Sequence, residues 1–263
     1  MTNSVIAAQL MTVREFTETA AGMAQTLVRL REIGYEAVQI PAPGDSKFAA
    51  ADLRKMCDSA GITVCSTHCE FDRLRDEMEA VIEEHEILGC SNIVVSSMTD
   101  DYPRSGDGFL RFAKDAEQVA RKLKQAGIGF SYHNHSFEFQ RFEGQFGLDI
   151  IFENTDANYV QAEIDTYWVQ HGGCDPVKWI EKLSGRLPSI HLKDMTMRVD
   201  QQLRSRQIKC EVGEGSLNWP DIIRAAQGSG VRWYIVEQDQ CERDPFDSVE
   251  ISFRNLKSMD IGL

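Results

Sequence analysis

Six times along the chain an amphipathic stretch, with apolar residues three and four apart, runs into a glycine and then into a short β-branched segment. The stretches end as REIG at Gly34, CDSAG at Gly61, HEILG at Gly89, LKQAG at Gly127, KLSG at Gly185 and QGSG at Gly230. A glycine just past a helix supplies a left-handed residue at little steric cost, so the recurring phrase reads as a helix-to-strand connection. Strands are predicted over residues 5–10, 37–40, 63–67, 92–96, 128–135, 160–165, 189–193 and 233–237. They begin at intervals of roughly thirty residues, the length of a strand plus its crossover helix in a parallel barrel. Between them, residues 17–33 carry Met23, Leu27, Leu30 and Ile33 on one helical face, and residues 77–88 place Val81, Ile82, Ile87 and Leu88 opposite a row of glutamates.

An open doubly wound sheet also alternates strands and helices, but it usually follows its first strand with a glycine-rich phosphate turn. QLMTVREF (9–16) contains no glycine, which favours an α/β fold of the (β/α)₈ TIM barrel type, as one domain over residues 1–263. The longest stretches without a helix or strand pattern, 99–108 and 196–218, follow strands four and seven. That is the face of a barrel where catalytic loops lie.

Composition narrows the function. Apolar residues at 42% and charged residues at 26% are those of a globular protein. A formal net charge of −13 argues against binding nucleic acid, which draws on clustered Lys and Arg. The start MTNSVIAAQL lacks the basic and apolar segments of a secretory signal, and no apolar run reaches the roughly eighteen residues that would suggest a membrane span, so a cytoplasmic location is expected. Seven scattered cysteines fit free thiols in a reducing compartment; the close pair Cys65 and Cys69 reads as small core thiols rather than a structural metal site.

A packed barrel interior wants Val, Ile and Leu, yet strands five to eight end in acids and histidines: YHNHSFEF (132–139), EIDTYW (163–168), IHLKDM (190–195) and IVEQD (235–239). With a period of two, His133 and His135 share a face, as do Glu163 and Asp165, and His191 and Lys193. Four adjacent strand ends offering imidazole and carboxylate suit a divalent cation, Zn²⁺, Mn²⁺, Co²⁺ or Fe²⁺ better than Ca²⁺, with Mg²⁺ a further option. The expected ligands are His133, Asp165, His191 and Glu237.

These segments, with QLMTVREF, EIDTYWVQHGGCDPVKWI and EVGEGSLNWP, resemble the sugar phosphate isomerase/epimerase family with a xylose-isomerase-like barrel, nearly end to end. The resemblance implies a metal held by carboxylates from strands five, six and eight and by the histidine of strand seven, which points to Asp165, His191 and Glu237. It also implies a sugar or polyol substrate, and dimers or tetramers. Strand five departs from the family: His133 stands where better-known epimerases carry a metal-binding glutamate, so either His133 is the fourth ligand or the loop bends to bring Glu138, the nearest carboxylate, into that place while the histidines meet substrate. Gln39, where the family often has glutamate, is read as a hydrogen-bonding residue of the barrel mouth.

In epimerases of the family, carboxylates on strands five and eight move protons from opposite faces of the substrate. Glu237 is therefore the first candidate base, with His135 or Glu138 as its partner and Lys193 as a stabiliser of charge on a substrate oxygen. His68, Trp168 and Glu163 are expected to contact the substrate. Glu211 and Glu214 are read as turn residues. The leading reading is a metal-dependent isomerase or epimerase acting beside the carbonyl of a ketose or keto-sugar. The alternative is a lyase on the same kind of substrate, an inosose dehydratase or an enzyme eliminating an aglycone from a 3-keto-glycoside. A zinc-dependent endonuclease of the same barrel type is disfavoured by the charge, and a binding protein without catalysis is the remaining option.

Overall fold

The computed structural model describes residues 4–259. Strands β1 Val5–Gln9, β2 Ala37–Pro41, β3 Thr63–His68, β4 Asn92–Val95, β5 Gly129–His133, β6 Val160–Asp165, β7 Ser189–Leu192 and β8 Trp233–Val236 pair in parallel with their chain neighbours. β8 returns to β1, so the sheet closes into a (β/α)₈ barrel. All six predicted glycine stops take positive φ, from 66° at Gly61 to 124° at Gly34. A side chain at these positions would be strained, which is why the pattern was visible in the sequence. Among the described residues no helix is long and apolar enough to cross a membrane.

The period of two along each strand divides the barrel interior into floors. Ala7, Ala37, Cys65, Trp233 and Ile235 form a buried apolar floor. Two residues further along the same strands stand Gln9, Gln39 and Glu237, all buried. A register shift between Val38 and Gln39 sets Gln39 beside Ser66 of β3. The interior thus turns polar toward the carboxyl ends of the strands.

Two expectations are corrected. In the helix Met78–Leu88 the core-facing residues are Met78, Val81, His85 and Leu88, whereas Ile87 is exposed. His85 falls on the inner face by helical spacing and is accommodated by hydrogen bonds to Val81 O and Thr67 Oγ1, both at 2.7 Å. The second correction concerns residues 196–218, which are not wholly irregular: strands Asp194–Val199 and Ser205–Cys210 form an antiparallel hairpin beyond β7. At its base the buried Asp194 carboxylate accepts the backbone N–H groups of Gly213 (3.0 Å), Gly215 (3.0 Å) and Leu217 (3.3 Å), and the indole N–H of Trp219. A Cβ at Gly215 would lie 2.2 Å from Asp194 Oδ1, so this close approach requires glycine. Cys65 and Cys69 are buried free thiols.

Candidate metal centre and active site

Neighbouring strand tips are tied together before any ligand is considered. The side chain of Asn134, just past β5, accepts the backbone N–H of Asp165 at 3.0 Å. Asp165 in turn caps the helix Thr166–His171, its Oδ1 accepting Trp168 N–H at 2.9 Å. Thr166 Oγ1 donates to the carbonyl of Lys193 at 2.9 Å and accepts the Lys193 backbone N–H at 3.1 Å. The N–H of Glu237 donates to Leu192 O at 3.2 Å. These bonds hold His133, Asp165, His191 and Glu237 on a rigid rim.

The remaining oxygen of Asp165, Oδ2, is buried with no hydrogen-bond partner. His133 Nε2 and His191 Nδ1 each lie 3.9 Å from it, and Glu237 Oε2 lies 3.1 Å from His191 Nδ1. A buried carboxylate oxygen that makes no hydrogen bond and faces two imidazole nitrogens and a second carboxylate suits a borderline divalent cation, so the predicted set fits the group that the sequence implies. The Lys193 ammonium also reaches these oxygens, 3.2 Å from Asp165 Oδ2 and 2.7 Å from Glu237 Oε2.

Burial and charge pull against each other throughout. Burial works against the Glu237 anion, but Lys193 and His191 outweigh it and hold the carboxyl well below its usual range. Asp165 is shifted up, because burial prevails over Lys193 and His191. His191 is pushed up to about 10: Glu163 and Glu237 overcome the burial that would discharge it. His135 is lowered to about 4 by burial and by Lys193.

A cavity of about 430 Å³ opens above this rim, of a size for a small molecule, lined by His68, His133, His135, Trp168, Lys193 and Glu237 among others. Eight of the ten predicted residues meet there, with Asp165 and His191 just below the six that line it. Two stand apart. Glu163, expected at the substrate, is fully buried under the imidazoles and accepts from Gln39 and Ser189. Glu138 is also fully buried, with one oxygen bonded by Tyr132 O–H at 2.8 Å and the other by the His135 N–H at 3.0 Å. Burial pushes its carboxyl up to about 7 despite those bonds. Gln39 donates to Ser66 and Glu163 and accepts from Gln9 and, at 2.6 Å, from His191 Nε2. Glu211 is tied to Ser248 and Arg243, and Glu214 to Asn255, away from the cavity.

Sequence reasoning passed over Asp239 and Arg14, which also line the cavity. Asp239 pairs with Lys209 of the hairpin at 2.7 Å and lies 3.8 Å from Lys193 Nζ. Its signal was its place two residues after Glu237 on the same rim.

Residues 27–259 match the profile of the xylose isomerase-like TIM barrel family. The chain belongs to that family. It is also similar to an inosose dehydratase of Mesomycoplasma hyopneumoniae strain J, 23% identical over 265 residues that span 89% of this chain and 88% of that protein. Among solved structures it is similar to a sugar phosphate isomerase/epimerase from Parabacteroides distasonis, with a TM-score of 0.80, 25% identity, and coverage of 99% of this chain and 96% of the other. An L-ribulose 3-epimerase shares the fold, with a TM-score of 0.73, 15% identity, and coverage of 97% and 94%. The family and these similarities point to a sugar-modifying enzyme.

Proposed function

We propose that this protein is a cytoplasmic, metal-dependent lyase that removes a proton beside the carbonyl of a keto-sugar or ketone polyol and expels an oxygen substituent one carbon further on. The observation that carries this reading is the seating of Glu138. With both oxygens bonded beneath the loop, it leaves Glu237 and Asp239 as the carboxylates lining the cavity, and both belong to the β8 rim. Carboxylate chemistry is therefore supplied from one side. Inversion at carbon needs a proton donor on the face opposite the base, whereas elimination from one face needs a single group that takes the proton and returns it to the departing oxygen.

His133, Asp165, His191 and Glu237 would hold the divalent cation, which when bound polarises the ketone and its neighbouring hydroxyl and eases the build-up of charge on oxygen. Glu237 accepts the proton from carbon. The C–H electrons form the new C=C bond as the C–O bond breaks, and the proton passes from Glu237 to the oxygen that departs as water or an alcohol. Lys193, 2.7 Å from Glu237 Oε2, keeps that carboxylate ionised between turnovers. The Trp168 ring, with His135 at a centroid distance of 5.2 Å, forms an aromatic wall for the apolar face of a ring-shaped substrate.

A second reading keeps the isomerase or epimerase chemistry, with His135 as the opposing group; the buried, unpartnered Nδ1 of His135 favours it. Incubation of Mn²⁺-supplemented protein with an inosose and with a 3-keto-glucoside in D₂O separates the two. Loss of water or aglycone with a growing enone absorbance supports the lyase. A product of unchanged composition carrying one deuterium supports the epimerase and overturns the lyase, and absence of both product and exchange overturns both.

A further inference from the structure

Glu163 stands two residues before Asp165 on the same face of β6, one floor deeper in the barrel, where it cannot touch a substrate in the cavity. Its Oε1 lies 3.0 Å from His191 Nε2, 3.3 Å from His68 Nε2 and 3.6 Å from His133 Nδ1. Its Oε2 accepts Ser189 O–H at 2.7 Å and Gln39 N–H at 2.9 Å. An ionised carboxylate has no proton to give, so every group turned toward it must bring one. We infer that Glu163 is a positioning residue that draws the protons of His133 and His191 to their inner nitrogens and so leaves the outer nitrogens bare for a cation.

The assignment follows from which nitrogen faces which oxygen. His133 carries its proton on Nδ1, toward Glu163, and presents Nε2 toward Asp165. His191 turns Nε2 toward Glu163 and Gln39 and Nδ1 toward Asp165 and Glu237, so it is the outer proton, on Nδ1, that a cation displaces while the inner one stays on Nε2. The two imidazoles use opposite tautomers, and one carboxylate faces both inner nitrogens, joined at His191 by the Gln39 carbonyl oxygen. A buried acceptor behind a ligating imidazole commonly fixes ring orientation and raises ligand basicity, and its loss costs metal affinity ten- to a hundredfold. Among the described residues His133 Nδ1 is buried without a hydrogen bond, and the acceptor it faces is Glu163 Oε1 at 3.6 Å. The same four residues, His68, His133, Glu163 and His191, come together closely enough to suggest a second cation site. The Ser189 hydroxyl and Gln39 amide argue against it, because both already direct protons at the carboxylate.

This inference rests on the reading that His133, Asp165, His191 and Glu237 hold the metal. Its test is Zn²⁺ affinity by chelator competition, together with imidazole ¹⁵N spectra of histidine-labelled protein, for wild type, Glu163→Gln and Ser189→Ala. With Zn²⁺ bound, the expected wild-type spectra show protonated Nδ1 at His133 and protonated Nε2 at His191. Glu163→Gln should weaken Zn²⁺ binding by about ten- to a hundredfold and disturb both tautomers. Ser189→Ala, which removes a bond to the same carboxylate without touching an imidazole, should preserve both affinity and tautomers. Wild-type tautomers opposite to these overturn the inference even where Glu163→Gln does not fold. Equal Zn²⁺ affinity in Glu163→Gln and wild type overturns it too, as does binding of two Zn²⁺ with loss of one in Glu163→Gln, which would make Glu163 a ligand. A wild-type chain that binds no Zn²⁺ overturns the metal reading itself, and this inference with it.

Discussion

Replacing Lys193 with methionine tests the electrostatics of the rim most directly. The ammonium is buried 2.7 Å from Glu237 and 3.2 Å from Asp165. At an effective dielectric of about 20, the two attractions come to roughly 6 and 5 kcal/mol before the cost of desolvating the ammonium is subtracted. Removing one partner of a buried ionic group typically costs about 3–5 kcal/mol, because the surviving charges stay buried without compensation. Methionine nearly conserves the side-chain length, so packing contributes little. For a chain of this size each kcal/mol lowers the melting temperature by ~2–4 °C, which predicts a fall of roughly 10 °C for Lys193→Met in EDTA. A divalent cation bound by the same two carboxylates restores the missing charge. Added Mn²⁺ should therefore raise the melting temperature of Lys193→Met more than that of wild type, and bind it more tightly. Differential scanning calorimetry with EDTA and with Mn²⁺ measures both. Equal melting temperatures in EDTA, or a Mn²⁺ increment no larger than that of wild type, would refute the argument.

Asp165→Asn should keep the helix cap, since asparagine caps as well as aspartate, but it takes one of two close anions from the buried Lys193, so the melting temperature in EDTA should fall by less than in Lys193→Met while tight Zn²⁺ binding is abolished; a chelator titration matching wild type would contradict this. Glu138 titrates at about 7 in the folded chain, above its unfolded value, so its contribution to stability is complete below about pH 4 and is lost as pH rises through 7. Glu138→Gln should remove that decline, worth at most about 3 kcal/mol, and a urea unfolding free energy that falls between about pH 5 and pH 8 as much in the variant as in wild type would refute the reasoning. Asp194→Asn places amide hydrogens against backbone N–H groups of the 213–217 loop and should cost about 2–4 kcal/mol; an unshifted Trp219 emission would count against the clamp.

The strands and their inward faces were legible because both follow from local periodicity: glycine stops mark the connections, and alternation decides which side chains enter the barrel. That logic placed Asp165, His191, Glu237 and His133 on one rim. It could not decide which of the acids would remain free. Glu163 is occupied by Gln39, 124 residues away, and by Ser189, 26 residues away, and nothing in the local pattern announces either partner. Glu138 is a different case, since Tyr132 stands six residues before it and the intervening turn brings them together. A nearby phenol was a usable signal there. The hairpin beyond β7 escaped notice because its outer half is exposed on both faces, so the alternation that marks a half-buried strand is weak. His85 was overlooked for a related reason: a polar residue on the inner face of a helix registers as a gap in the apolar stripe until its partner, Thr67, is known.

The Asp194 clamp closes the hairpin at its root, where Asp194 pairs with Cys210 and the next loop is gathered by four hydrogen bonds to one carboxylate. Everything between residues 195 and 209 is therefore an excursion that leaves and re-enters the barrel at a fixed gate. Such an insert can be lengthened, shortened or exchanged for another without changing where His191 and Lys193 stand. A barrel built this way can acquire a new substrate by grafting at one point while the chemistry it inherited stays in place.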